Sequence, residues 1–105
     1  MRAIVYEAPG RLVVKDVRRP QVGSKDVLIR VRAAGICGND LEMARGNRPD
    51  MTQPRIPGHE VAGEIAEIGT QVAGFSVGDK VVVEPILSCG ECLTVRLEGI
   101  MSARN

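Results

Sequence analysis

Aromatic side chains are almost missing from this chain. Its 105 residues include one Tyr (Tyr6), one Phe (Phe75) and no Trp. A core must therefore come from aliphatic residues, and the prominence of Val and Ile among them favours strands over helices. No apolar run approaches the roughly 20 residues that a membrane-crossing helix requires, and the N-terminus lacks the basic, apolar and small succession of a secretory leader. We therefore expect a cytoplasmic protein with no membrane partner. Neither charge sign is in excess: 14 Lys and Arg stand against 13 Asp and Glu, for a net charge of +1. The two signs are evenly mixed, which leaves no basic face for nucleic acid. Three cysteines are an odd number for a disulfide framework, and in a reducing compartment they read better as thiolate ligands. A Gly-x-Gly-x-x-Gly nucleotide fingerprint is also missing. The length suits one domain with a modest core.

What is present is a series of short apolar segments separated by Gly and Pro. Residues 2–6 form a strand that Pro9-Gly10 stops. Residues 12–17 form a second strand, ended by Pro20, and Gly23-Ser24-Lys25-Asp26 makes a turn. Val27, Ile29, Val31 and Ala33 then alternate with Leu28, Arg30 and Arg32, the clearest period-two pattern in the chain. Residues 39–45 suit one or two helical turns, with Asn39 or Asp40 as a cap. Residues 46–57 contain three prolines and read as a loop. Residues 61–69 and 72–75 are expected to be extended. Val77-Gly78-Asp79-Lys80 turns the chain into Val81-Val82-Val83, which Pro85 bounds. Together these features predict a mainly β fold, a small barrel or sandwich with one or two short helices.

The only histidine lies in Ile56-Pro57-Gly58-His59-Glu60-Val61, at the mouth of a strand. A backbone turn there can aim the His59 imidazole and the Glu60 carboxylate at one point. Cys37, in Gly35-Ile36-Cys37-Gly38-Asn39-Asp40, is the natural partner. Sulfur, imidazole and carboxylate make a zinc-type donor set. The plainer readings are a hydrogen-bonding His59, a Cys37 that is a small buried hydrophobe, and an Asp40 that only caps a helix.

Four motifs occur in one order: Gly35-Ile36-Cys37-Gly38-Asn39-Asp40-Leu41, Pro57-Gly58-His59-Glu60-Val61-Ala62-Gly63, Val77-Gly78-Asp79-Lys80-Val81-Val82-Val83 and Cys89-Gly90-Glu91-Cys92. In this they resemble the N-terminal catalytic domain of the zinc-dependent medium-chain alcohol and polyol dehydrogenases, a small β-barrel similar to the GroES co-chaperonin. The resemblance spans residues 1–92. It implies that Cys37 and His59 bind a catalytic zinc, that Glu60 binds it or sits just behind it, and that Asp40 orients the histidine. It also implies that zinc lowers the pKa of a bound alcohol, and that hydride passes to NAD or NADP held by a second, Rossmann domain. Two positions depart from the family. Asn39 stands where a Ser or Thr usually passes on the alcohol proton, and Glu42 stands where a histidine often ends that relay.

Cys89 and Cys92 resemble the start of the family's structural zinc lobe, C-x-x-C-x-x-C-x7-C. Val95 and Ala103 occupy the third and fourth places, and two thiolates do not close a tetrahedral site. The expectation is therefore an unfilled remnant, followed by a divergent tail over residues 93–105 and no cofactor-binding domain. One permitted codon choice, read two bases out of frame from the last base of Thr94, gives Cys-Pro-Ser-Gly-Arg-His-Asn-Val-Cys, close to the family's continuation. A frameshift at Leu93 or Thr94 accounts for this tail; a natural or engineered truncation with a diverged end is the alternative. On either account the chain alone is expected to be inactive and to self-associate through an exposed apolar face. Two other functions remain open. A stand-alone GroES-like assembly module would leave Cys37, His59 and Asp40 unexplained, and a zinc-free reductase of the same fold would generally lack them.

Overall fold

The computed structural model describes residues 1–51 and 53–86. The elements run β1 (Arg2–Ala8), β2 (Arg11–Asp16), β3 (Val27–Gly35), α1 (Gly38–Ala44), β4 (Glu60–Ile68) and β5 (Lys80–Val82). Five of the six expected extended segments form strands, with one short helix among the described residues, in the expected order.

β1 and β2 form an antiparallel hairpin, in register from Arg2↔Asp16 to Ala8↔Arg11 with an irregularity at Glu7. The other three strands form an antiparallel sheet in the order β3-β4-β5. The β3–β4 ladder runs from Val27↔Ile68 to Gly35↔Glu60, with irregularities after Leu28 and Val31. β5 adds to the far side of β4 through Ala62↔Val82, Gly63↔Val81 and Glu64↔Lys80. β4 is thus the central strand. Its Gly63 has a packing reason: a Cβ there would run into the Arg30 carbonyl oxygen and the Ile29 Cγ2 of β3.

α1 starts at the end of β3 and closes in a regular way. The Gly46 N–H donates to the Met43 carbonyl and the Asn47 N–H to the Glu42 carbonyl, both at 2.9 Å. Gly46 has a φ of 83°. This is the paired hydrogen bonding of a Schellman motif, in which a glycine takes the left-handed conformation just past the helix. Pro9 lies so near that a side chain on Gly46 would collide with it.

Among the described residues the buried hydrophobic side chains are Val5 and Tyr6 of β1, Met43 of α1 and Ile65 of β4. The single tyrosine is therefore a core residue. The alternation of β3 does not translate into burial, because Val31 is 55% exposed. The reason is a cavity of about 830 Å³ with walls from β1, β3, β4 and residues 56–58. Ile4, Ile29, Val31 and Val61 face this space.

Residues 72–75 were expected to be extended, but no strand forms there. Hydrogen bonds pin the segment just before them to the turn at residues 23–26. The Gly69 N–H donates to the Asp26 carbonyl at 2.8 Å and the Gln71 N–H to the Ser24 carbonyl at 2.7 Å. A turn at Val72, whose N–H bonds the Gly69 carbonyl at 3.1 Å, and Gly74 with a φ of 83° then carry the chain away from the sheet. No described helix is long and apolar enough to cross a membrane.

Candidate metal centre

The site lies at one end of the β3–β4 ladder, and the ladder explains its composition. Gly35↔Glu60 is the last pair. Cys37 follows β3 by two residues and His59 precedes β4 by one, so antiparallel pairing brings two sequence-distant motifs to one edge. Cys37 also occupies the N-cap of α1, in an extended conformation with φ −88° and ψ 159°. Residue 37 is thus fixed from both sides, by the end of a strand and the start of a helix.

The approach to His59 is anchored separately. Arg55 exchanges two backbone hydrogen bonds with Tyr6, at 2.8 and 3.1 Å, as an isolated antiparallel bridge on β1. Three residues later Gly58 adopts a φ of 112°, a conformation that side-chain-bearing residues rarely take. This turn delivers His59 and Glu60 to the head of β4. The motif showed that a turn was present; it did not show that the core tyrosine holds it.

One donor atom from each of Cys37, His59 and Glu60 lies within 4.8 Å of the other two. Zinc bonds of about 2.0–2.3 Å in a tetrahedron place donors roughly 3.3–3.6 Å apart. Side-chain rotations of about an ångström would close the set. Thiolate, imidazole and carboxylate suit a divalent ion of intermediate softness, so the residues present fit the metal that the motifs implied. Cys37 and His59 are half-buried and Glu60 is exposed, so this site keeps an open side.

Asp40 lies between the helix and the histidine. Its Oδ2 accepts a 2.9 Å hydrogen bond from the Cys37 N–H, the backward-reaching half of a capping box. Its Oδ1 is 3.7 Å from the His59 Nδ1. That separation is too long for a hydrogen bond, although it puts the carboxylate next to the ring. Capping is thus a formed interaction, and contact with His59 is a matter of proximity.

The other sequence-predicted positions are placed differently. Asn39 is exposed on the first turn of α1. Among the described residues its side chain makes no hydrogen bond to Cys37, His59 or Glu60. Glu42 has both oxygens engaged at the far end of the helix. Asn47 Nδ2 donates to Oε2 at 2.7 Å and Arg45 Nη1 to Oε1 at 2.9 Å. The bond from Asn47, then that from Arg45, holds its carboxyl below the usual range. Glu42 therefore serves as a latch on the loop after α1. Cys89, Cys92 and the tail at 93–105 lie outside the described residues.

Comparison with known proteins places this architecture. The profile of the alcohol dehydrogenase GroES-like domain matches residues 23–103. The chain belongs to that family. A zinc-type alcohol dehydrogenase-like protein of Haemophilus influenzae is 45% identical over 93 residues, covering 88% of this chain and 27% of the relative. The D-altritol 5-dehydrogenase of Agrobacterium fabrum is 38% identical over 96 residues, covering 91% of this chain and 29% of the relative. A putative zinc-binding dehydrogenase of Sinorhizobium meliloti, solved with NADP bound, superposes with a TM-score of 0.80 at 35% identity, covering 90% of this chain and 28% of that one. The GroES-like fold expected from the motifs is thus the fold of this chain. The chain spans a little over a quarter of the length of these relatives.

Proposed function

We propose that Cys37, His59 and Glu60 hold a catalytic zinc, and that this chain is the metal-bearing N-terminal part of a dehydrogenase. That enzyme oxidises a secondary alcohol or polyol with NAD or NADP. The observation that carries the reading is the convergence of three donors at one end of the β3–β4 ladder. Membership of the GroES-like family supports the reaction class. When bound, the zinc supplies Lewis acidity toward an alcohol oxygen. The chain's own residues do the rest. Cys37 and Glu60 contribute negative charge, His59 a neutral nitrogen, and Asp40 fixes the start of α1 that positions Cys37. Asn39 has an amide that can hydrogen-bond a substrate oxygen but does not readily relay a proton, and Glu42 is engaged elsewhere. Proton transfer in this protein therefore takes a route other than Asn39 to Glu42.

Hydride transfer also requires a positioned nicotinamide, and no Gly-x-Gly-x-x-Gly occurs here. The 105 residues by themselves are expected to give no turnover. Joined in frame to the remaining part of the Haemophilus relative, they are expected to reduce NAD(P)⁺ with a secondary alcohol or polyol. Cys37→Ser in that chimera should lower turnover by at least about 100-fold. A folded, zinc-loaded chimera with no activity toward any such substrate would contradict the reading. So would activity indifferent to Cys37→Ser.

A further inference from the structure

Gly35 is the residue paired with Glu60 at the last rung of the β3–β4 ladder. Directly paired residues point their side chains to the same face, about 4.5–5.5 Å apart at Cβ. At this rung only one of the two has a side chain, and Glu60 fills the space that the other leaves. A Cβ built on Gly35 would overlap the Glu60 Oε2, and it would lie 3.1 Å from the Glu60 Cβ and 3.5 Å from the Glu60 Cδ. The glutamate is therefore folded flat across the glycine. That path takes its carboxylate over β3 toward Cys37, two residues further on, and into the group of donors that it shares with His59.

Conformation does not account for the glycine. The glycines with positive φ are Gly10, Gly46, Gly58, Gly74 and Gly78. Gly35 is not among them, and its backbone is one that alanine adopts. What an alanine would disturb is a side chain: the overlapping atom is the far end of Glu60, which can swing away, and the Glu60 Cβ at 3.1 Å has to give by only a few tenths of an ångström. The expected response to a methyl group is a retreat of the carboxylate, with the ladder left standing.

We propose that Gly35 is a positioning residue for the metal site. Its missing side chain lets Glu60 act as a third protein donor beside Cys37 and His59. The proposal rests on the metal reading above and adds a determinant that the donor residues themselves do not reveal. Thiolate and carboxylate together match the two charges of a divalent cation, with the imidazole neutral. If the carboxylate retreats, one negative donor is lost and solvent fills its place.

The test is a Co²⁺ titration of the full chain carrying Cys89→Ser and Cys92→Ser, so that Cys37 is the only thiolate. Three further variants are compared in that background: Gly35→Ala, Glu60→Ala and the two together. Co²⁺ absorption reports both affinity and coordination, and thermal melting of the metal-free chains reports the fold. We expect Gly35→Ala to weaken Co²⁺ binding about 10-fold or more, the range for residues that act on a ligand from behind. Glu60→Ala should weaken it by a similar factor and the double variant by no more than either single one. Should Gly35→Ala prove too unstable, Glu60→Asp, which withdraws the carboxylate while leaving Gly35 bare, should reproduce the loss. Three results would overturn the inference alone: unchanged affinity in Gly35→Ala, an equal further loss when Gly35→Ala is added to Glu60→Ala, or full affinity in Glu60→Asp. Failure of the parent chain to bind Co²⁺ would overturn the metal reading and this inference together.

Discussion

At the scale of single residues, the convergence of Cys37, His59 and Glu60 was legible because each lies in a short motif with its own chemical logic. A lone histidine after Pro57-Gly58, and a cysteine at the end of an alternating segment, are positions that a turn can aim. Gly35 was not legible, although it stands in the same motif as Cys37. Its role depends on being paired with Glu60, and register is a property of two strands. Glu42 could not be assigned from sequence for a similar reason: its partners, Asn47 and Arg45, are in place only because the helix ends at Gly46. Its lowered pKa has a consequence that can be measured. A carboxyl depressed in the folded chain contributes stability above its unfolded pKa and loses it as pH falls through the folded value. In an NMR pH titration the Asn47 side-chain amide should therefore follow a midpoint below that of an ordinary glutamate. Glu42→Gln should abolish that titration. A midpoint at or above the ordinary value would show that the latch is not formed in solution. Because Arg45 and Glu42 are 67% and 43% exposed, the effect on global stability is expected to be small.

Among the elements, periodicity and punctuation located five strands and a helix within a few residues. The hairpin turn at Pro9-Gly10 and the turn before β5 are sequence features with direct structural counterparts. The segment at 72–75 has the same kind of signal, but its neighbours are pinned to the 23–26 turn, so no partner strand is available. Strand propensity without a pairing partner makes no strand. The central element is β4, held on both sides, and its close approach to β3 at Gly63 sets the spacing of the ladder that ends in the site. The obstacles to a side chain there include backbone, which cannot swing away as Glu60 can. Gly63→Ala is expected to destabilise the chain by about 2 kcal/mol or more, read from urea unfolding. A loss below about 0.5 kcal/mol would mean that the ladder is looser than described. The contrast with Gly35→Ala, which should spare the fold, separates a structural glycine from a positioning one.

For the whole molecule, the alternation of apolar residues read on β3 is real. Its burial is not, because β1, β3 and β4 leave the cavity of about 830 Å³ between them. Sequence reports which face prefers to be covered; it does not report what covers it. Beside that cavity, whose walls include Ala34, Val61 and residues 56–58, the ladder ends at Gly35↔Glu60, and the central claim is that its geometry there assembles one metal site from two motifs. X-ray absorption on the zinc-loaded full chain, with Cys89→Ser and Cys92→Ser to leave a single thiolate, tests that claim most directly. The account predicts one zinc per chain with one sulfur at about 2.3 Å and the remaining ligands nitrogen or oxygen at about 2.0–2.2 Å. The sulfur should vanish in Cys37→Ser. Zinc with no sulfur in its shell, or a chain that takes up no zinc when folded, would contradict it.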